Sequence, residues 1–172
     1  YALSAKEFLW TAAAAALLSW VGDIFLVKRR GAAFAFAGIA AFFFGNLCYT
    51  ASILRFSRYP ESMAAAIPFV LILASALFAA LILLFHAPRG LAAAAALYGL
   101  TLAALTVCAV WLFIQRGDAV CAAILSGALC LSASDICLAC RYGKMTKGTN
   151  FVIMLLYIAA QFSLLPGLAR LV

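Results

Sequence analysis

The chain has 172 residues, of which 69 % are hydrophobic and 10 % charged, against roughly 45–50 % and 25 % in soluble globular domains. That balance excludes a soluble enzyme or binding domain and predicts an integral membrane protein. The net charge of +7 resembles a nucleic-acid signature only until its positions are read: the basic residues stand at the ends of apolar runs, as membrane topology requires, so nucleic acid is not an expected partner.

A bilayer core takes about 20 apolar residues per helix, and runs near 7–27, 32–54, 63–85, 91–114, 119–140 and 150–171 have that length. The expected fold is all-α: a polytopic transmembrane bundle of six spans, forming a single transmembrane domain over residues 1–172. The first run carries Asp23 and is span length, so it reads as a helix and not as a cleavable signal. Because the chain starts at Tyr1 and not at Met, a further N-terminal span ahead of it stays open.

Short, charged connections separate the runs. They are Lys28 to Gly31, then Arg55 to Glu61, then His86 to Gly90, then Arg116 to Asp118, then Arg141 to Asn150. Pro68 and Pro166 fall near helix ends, where neither breaks a mid-helix hydrogen bond. Alternating the connections across six spans puts Lys and Arg 28, 29, 30, 89, 141, 144 and 147 on one face and 6, 55, 58, 116 and 170 on the other. The first face is the expected cytoplasmic side. Alanine runs at 12–16, 64–66 and 92–96 predict close helix packing. Trp10, Trp20 and Trp111 suit the membrane interface, and Trp20, three residues before Asp23, has a possible place at a site as well. Six cysteines lie within the spans, where Cys behaves as a small hydrophobe; a single Cys137-x-x-Cys140 makes no metal site, so neither metal nor cofactor is expected.

Of the seventeen charged residues, Asp23 and Asp135 alone lie inside apolar runs. A carboxylate there is expensive and normally faces the bundle interior with a partner, which marks both as candidate functional residues. Their surroundings repeat as D-I-x-L-x-x-R-x-G, a weak parallel internal repeat that sends both helices in one direction and brings both acids toward one face. Ser19 and Ser132 precede them at same-face spacings able to hydrogen-bond the carboxyls. The helix after each acid carries a polar pair at one-face spacing, Asn46 with Tyr49 and Tyr157 with Gln161. These polar groups are the expected lining of a substrate-binding pocket, and structural hydrogen bonding between helices is the competing reading. Arg29 and Arg141 flank the acids, as topology anchors or as contacts for a lipid headgroup.

Two neighbouring carboxyls do not readily both ionise, so one can serve as a proton donor while the other remains an anion. That division suits cleavage through an oxocarbenium-like cation, and it equally suits a proton relay in a carrier.

The blocks L-x-S-W-V-G-D-I-F-L-V at 17–27, F-F-F-G-N-L-C-Y at 42–49, G-A-L-C-L-S-A-S-D-I-C-L-A at 127–139 and L-Y-I-A-A-Q at 156–161 resemble successive blocks of the YhhN family of polytopic membrane proteins, whose animal members are lysoplasmalogenases. The resemblance implies hydrolysis of the vinyl ether bond of a lysoplasmalogen-like lysolipid, with release of a fatty aldehyde and a glycerophospho-alcohol. Asp23 and Asp135 stand at the positions of the catalytic pair. It implies a lysolipid substrate, residence in the bilayer and, for a bacterial member, a multi-pass place in the inner (cytoplasmic) membrane. The chain departs from the family pattern at Asn46, where the family usually has His, at Ile158, where a second Tyr is frequent, and in lacking the family's N-terminal Lys-Pro helix. Since Asn cannot transfer a proton, the alternative is a non-enzymatic lipid-binding or carrier protein that uses the same polar pocket.

Overall fold

The computed structural model describes residues 2–28, 32–57, 89–140 and 146–171. These form five α-helices: α1 (Ala2–Lys28), α2 (Ala32–Leu54), α3 (Arg89–Arg116), α4 (Ala119–Cys140) and α5 (Lys147–Ala169). Four stretches within α2 to α5 are long and apolar enough to cross a membrane, and α1 contributes a shorter apolar stretch, Trp10–Phe25. The described part of this membrane protein is thus all helical. The expected third span, 63–85, lies outside the described residues, as do Pro68 and His86.

The helices pack in a closed ring in chain order, α1 on α2, α2 on α3, α3 on α4, α4 on α5, and α5 back on α1. Small residues let the backbones approach, which is what drives association where lipid is as apolar as the side chains. At Gly45 a Cβ would stand 3.3 Å from both the Ala15 carbonyl and the Ser19 hydroxyl, so α2 lies directly on the alanine stretch of α1. At Gly127 a Cβ would stand 2.8 Å from Leu164 Cγ and 3.1 Å from the Ala160 carbonyl, bringing α4 equally close to α5. Of the alanine runs read from the sequence as packing residues, the one at 12–16 contributes buried Ala12 and Ala15, whereas Ala93 in the run at 92–96 is exposed and 64–66 lies outside the described residues.

Helix direction follows from the contacts. Thr11 meets Ser52 at 3.0 Å and Phe25 stacks near Phe34, so α1 and α2 are antiparallel. Phe36 lies by Gly90 and Phe42 by Tyr98, so positions in α2 and α3 rise together and these two helices run parallel.

One half of the bundle is a hydrocarbon core of Ile53, Leu105, Leu112, Cys121, Ile124, Leu164 and Leu168. The other half contains the acids. Trp10 and Trp20 point outward, Trp20 being 62 % exposed, so Trp20 does not join a site with Asp23.

The α3–α4 connection is a two-residue turn. Gly117 adopts φ 62°, a left-handed conformation that glycine takes without strain, and its N–H donates to the Phe113 carbonyl at 2.8 Å. Asp118 then caps α4, its Oδ1 accepting the Cys121 N–H at 2.7 Å. The hydrogen bonds from Cys121, with a smaller contribution from the Arg116 guanidinium, hold the Asp118 carboxyl below its ordinary value.

Two outcomes follow from this packing. Gly127→Ala should destabilise the protein by about 1–3 kcal/mol through overpacking of α4 against α5, read as a lower midpoint in thermal or denaturant unfolding. A carboxyl depressed in the folded state contributes stability above its unfolded pKa and loses it as pH falls through the folded value. Between about pH 6 and about pH 3, the Tm of the wild type should therefore fall more steeply than that of Asp118→Asn, which keeps the cap and removes the charge.

Candidate functional site

The two aspartates come together at one end of the ring. Asp23 lies near the C-terminal end of α1 and Asp135 near that of α4, each partly buried. Each is held by a tyrosine from a neighbouring helix. The Tyr98 hydroxyl of α3 donates to Asp135 Oδ2. The Tyr157 hydroxyl of α5 is the side-chain hydrogen-bond partner of Asp23.

Phe42 of α2 lies between the two tyrosines, its ring centroid 6.3 Å from that of Tyr98 and 6.2 Å from that of Tyr157, edge-on to both. Such edge-to-face contacts set the positive ring edge of one aromatic against the negative face of another. Phe42 has this position because the residue beside it on α1 is Gly22: a Cβ there would fall 2.7 Å from the Phe42 ring. The glycine next to Asp23 thus makes room for the ring that aligns both tyrosines.

One turn farther along α2, Asn46 is almost fully buried beside the Tyr98 hydroxyl. Three residues on, the fully buried Tyr49 donates its hydroxyl to Gln161 Oε1 of α5 at 2.6 Å. The stripe Phe42, Asn46, Tyr49 therefore faces the stripe Tyr157, Gln161 across the bundle, with Tyr98 at its flank. Within this layer, the Asn46 Nδ2 and Gln161 Nε2 atoms are buried and make no hydrogen bond.

The residues expected from the sequence divide into two groups. Asp23, Asp135, Asn46, Tyr49, Tyr157 and Gln161 converge. Ser19 stands beside Tyr157 and gives its own hydrogen bond to the Ala15 carbonyl at 2.9 Å, so it supports the partner of Asp23 and not the carboxyl itself. Ser132 is paired with Thr106 of α3 at 2.9 Å, a clasp between helices away from the Asp135 carboxyl. Ser134 donates to the Ile153 carbonyl at 3.1 Å and ties α4 to α5. Arg29 and Arg141 lie outside the described residues. The expected internal repeat is not supported by the structure: Asp23 is served from α5 and Asp135 from α3.

Tyr98 and Phe42 were not singled out from the sequence. The signal for Tyr98 was present: a phenol in an apolar run needs a partner for the same reason that an aspartate does. Phe42 carries no such signal, being one aromatic among fourteen phenylalanines.

Removing one member of a hydrogen bond to a charged group leaves the other unsatisfied, at a cost of about 1–3 kcal/mol. Tyr98→Phe is expected to lower stability by that amount. In a double-mutant cycle with Asp135→Leu the two effects should be clearly less than additive, as read from unfolding midpoints of all four proteins.

The comparisons agree with the resemblance seen in the four sequence blocks. No curated protein and no solved structure matches the chain. The YhhN family profile matches residues 1–168, nearly the whole length, and the chain belongs to the YhhN family.

Proposed function

We propose that this protein is a membrane-embedded hydrolase that cleaves the vinyl ether bond of lysoplasmalogen-like lysolipids, with Asp23 and Asp135 as the acid/base pair. The observation that carries this reading is the gathering of the two acids at one end of the bundle, each beside a tyrosine from a different helix, with Phe42 edge-on to both tyrosines. Its second support is the family, which is associated with lysoplasmalogenase activity.

A vinyl ether is cleaved by adding a proton to the carbon farther from oxygen, which leaves an oxocarbenium ion. Water then adds to the carbon beside the oxygen, and the resulting hemiacetal breaks down to aldehyde and alcohol, one water being consumed overall. A protonated carboxyl supplies the first proton, and the partner carboxylate stabilises the cation and takes a proton from the attacking water. Tyr98 and Tyr157 keep each carboxyl aimed while charge moves between them. Asn46, Tyr49, Tyr157 and Gln161 form the polar lining that the substrate meets. Arg29 and Arg141, each six residues beyond an acid, are assigned to the phosphate of the headgroup.

The same reading includes six spans and a place in the bacterial cytoplasmic membrane. The parallel course of α2 and α3 supports a return of the chain across the bilayer between them. A single crossing there also puts Arg89 and Lys147 on the side of Lys28, which makes that basic side the cytoplasmic one.

The test is aldehyde release from a lysoplasmalogen by the purified protein in lipid nanodiscs. Asp23→Asn and Asp135→Asn are each expected to reduce release by about 10²–10⁴-fold. Undiminished release from either variant would sink the acid/base assignment. Lipid that binds and is recovered unchanged from folded wild type would point instead to a carrier.

A further inference from the structure

The two acids are close to one membrane face. Asp23 stands five residues before the end of α1 and Asp135 five before the end of α4, so at about 1.5 Å per residue each is about 7 Å inside its helix. The same end of the bundle carries the start of α3 at Arg89 and of α5 at Lys147.

The opposite half is closed among the described residues. Leu105 and Leu112 of α3, Ile124 and Ala128 of α4, and Leu164 and Leu168 of α5 are all inaccessible to solvent. Leu105 and Leu112 are two helical turns apart, so this packing is about 10 Å deep. Its hydroxyl groups offer no polar track through it. Thr106 gives its hydrogen to the Leu102 carbonyl at 3.0 Å and pairs with Ser132 at 2.9 Å. Ser52 gives its hydrogen to the Cys48 carbonyl at 2.8 Å and pairs with Thr11 at 3.0 Å. Water crossing such packing would lose hydrogen bonds with nothing to replace them, and a charged headgroup would face a larger penalty.

We infer that the site is one-sided: water, protons and a lipid headgroup reach Asp23 and Asp135 only from the membrane face at Lys28, Arg89 and Lys147. The protein therefore draws on lipids of that leaflet alone and does not pass them to the other. The inference rests on the proposed function for the class of lipid, and on the packing alone for the side from which it comes.

Single thiols test the side without reference to turnover. In the full chain with its six cysteines replaced by alanine, Asp23→Cys or Asp135→Cys puts a thiol at the site. Each of these variants also carries Gln115→Cys, on the exposed last turn of α3 at the other end. A charged, membrane-impermeant methanethiosulfonate is added to right-side-out and to inverted vesicles, and the adducts are assigned by peptide mass. The site thiol should be labelled in one preparation and position 115 in the other, each losing its label when the preparations are exchanged. Labelling of the site thiol from the side that labels position 115, or from neither side, would overturn the inference. One-sided labelling at position 115 certifies a folded, inserted chain, and the second site variant serves if one substitution abolishes it.

Turnover gives an independent reading. Lysoplasmalogen is added outside sealed liposomes that hold the purified protein in both orientations, its charged headgroup keeping it in the outer leaflet. Aldehyde release should rise on permeabilising the liposomes, by the inverse of the fraction of molecules whose position 115 faces inward. An unchanged rate would overturn the inference. No release before or after permeabilising means that the hydrolase reading fails, while the thiols still decide the side.

Discussion

A carboxyl within a membrane span must be satisfied by a neighbouring helix, because lipid offers no hydrogen bond. The arrangement of the site follows from that constraint applied twice. Asp135 on α4 is reached by Tyr98 from α3, and Asp23 on α1 is reached by Tyr157 from α5. The second of these pairs lies where the ring closes, so the interaction that satisfies Asp23 also joins the first described helix to the last. Phe42 from α2 then sits edge-on to both tyrosines, and all five helices contribute to one small polar layer.

Small residues make that layer accessible to long side chains. Where Gly45 meets Ala15 and where Gly127 meets Leu164, helix backbones come close, and the sequence has no bulky group between them. Gly22 plays the same part inside the site by admitting the Phe42 ring next to Asp23. Packing and chemistry therefore use one device, the omission of a side chain, for two purposes.

Much of this was legible in the sequence because the bilayer imposes simple rules. A charge in an apolar run stands out, as Asp23 and Asp135 did, and same-face spacing identified Asn46 with Tyr49 and Tyr157 with Gln161. Spacing identifies a face of a helix but not the helix that it meets, which is why Ser132 turned out to serve Thr106 and why Ser19 turned out to support Tyr157. The bond between Tyr49 and Gln161 joins residues 112 apart in sequence, and no local pattern encodes it. Tyr98 was readable by the rule that revealed the aspartates, whereas Phe42 gained its role only through the glycine opposite it.

The Tyr49–Gln161 hydrogen bond spans the interior between α2 and α5, and beyond it the bundle is filled by Ile53, Leu105, Leu112, Ile124 and Leu164. This crossbar makes a floor. An amphiphile whose polar part reached the aspartates would meet these packed side chains below them, among the described residues, and its tail would be left to the surrounding lipids. Under the proposed function, selection would then fall on the polar end of the lipid, and the length of its chain would be left to the bilayer.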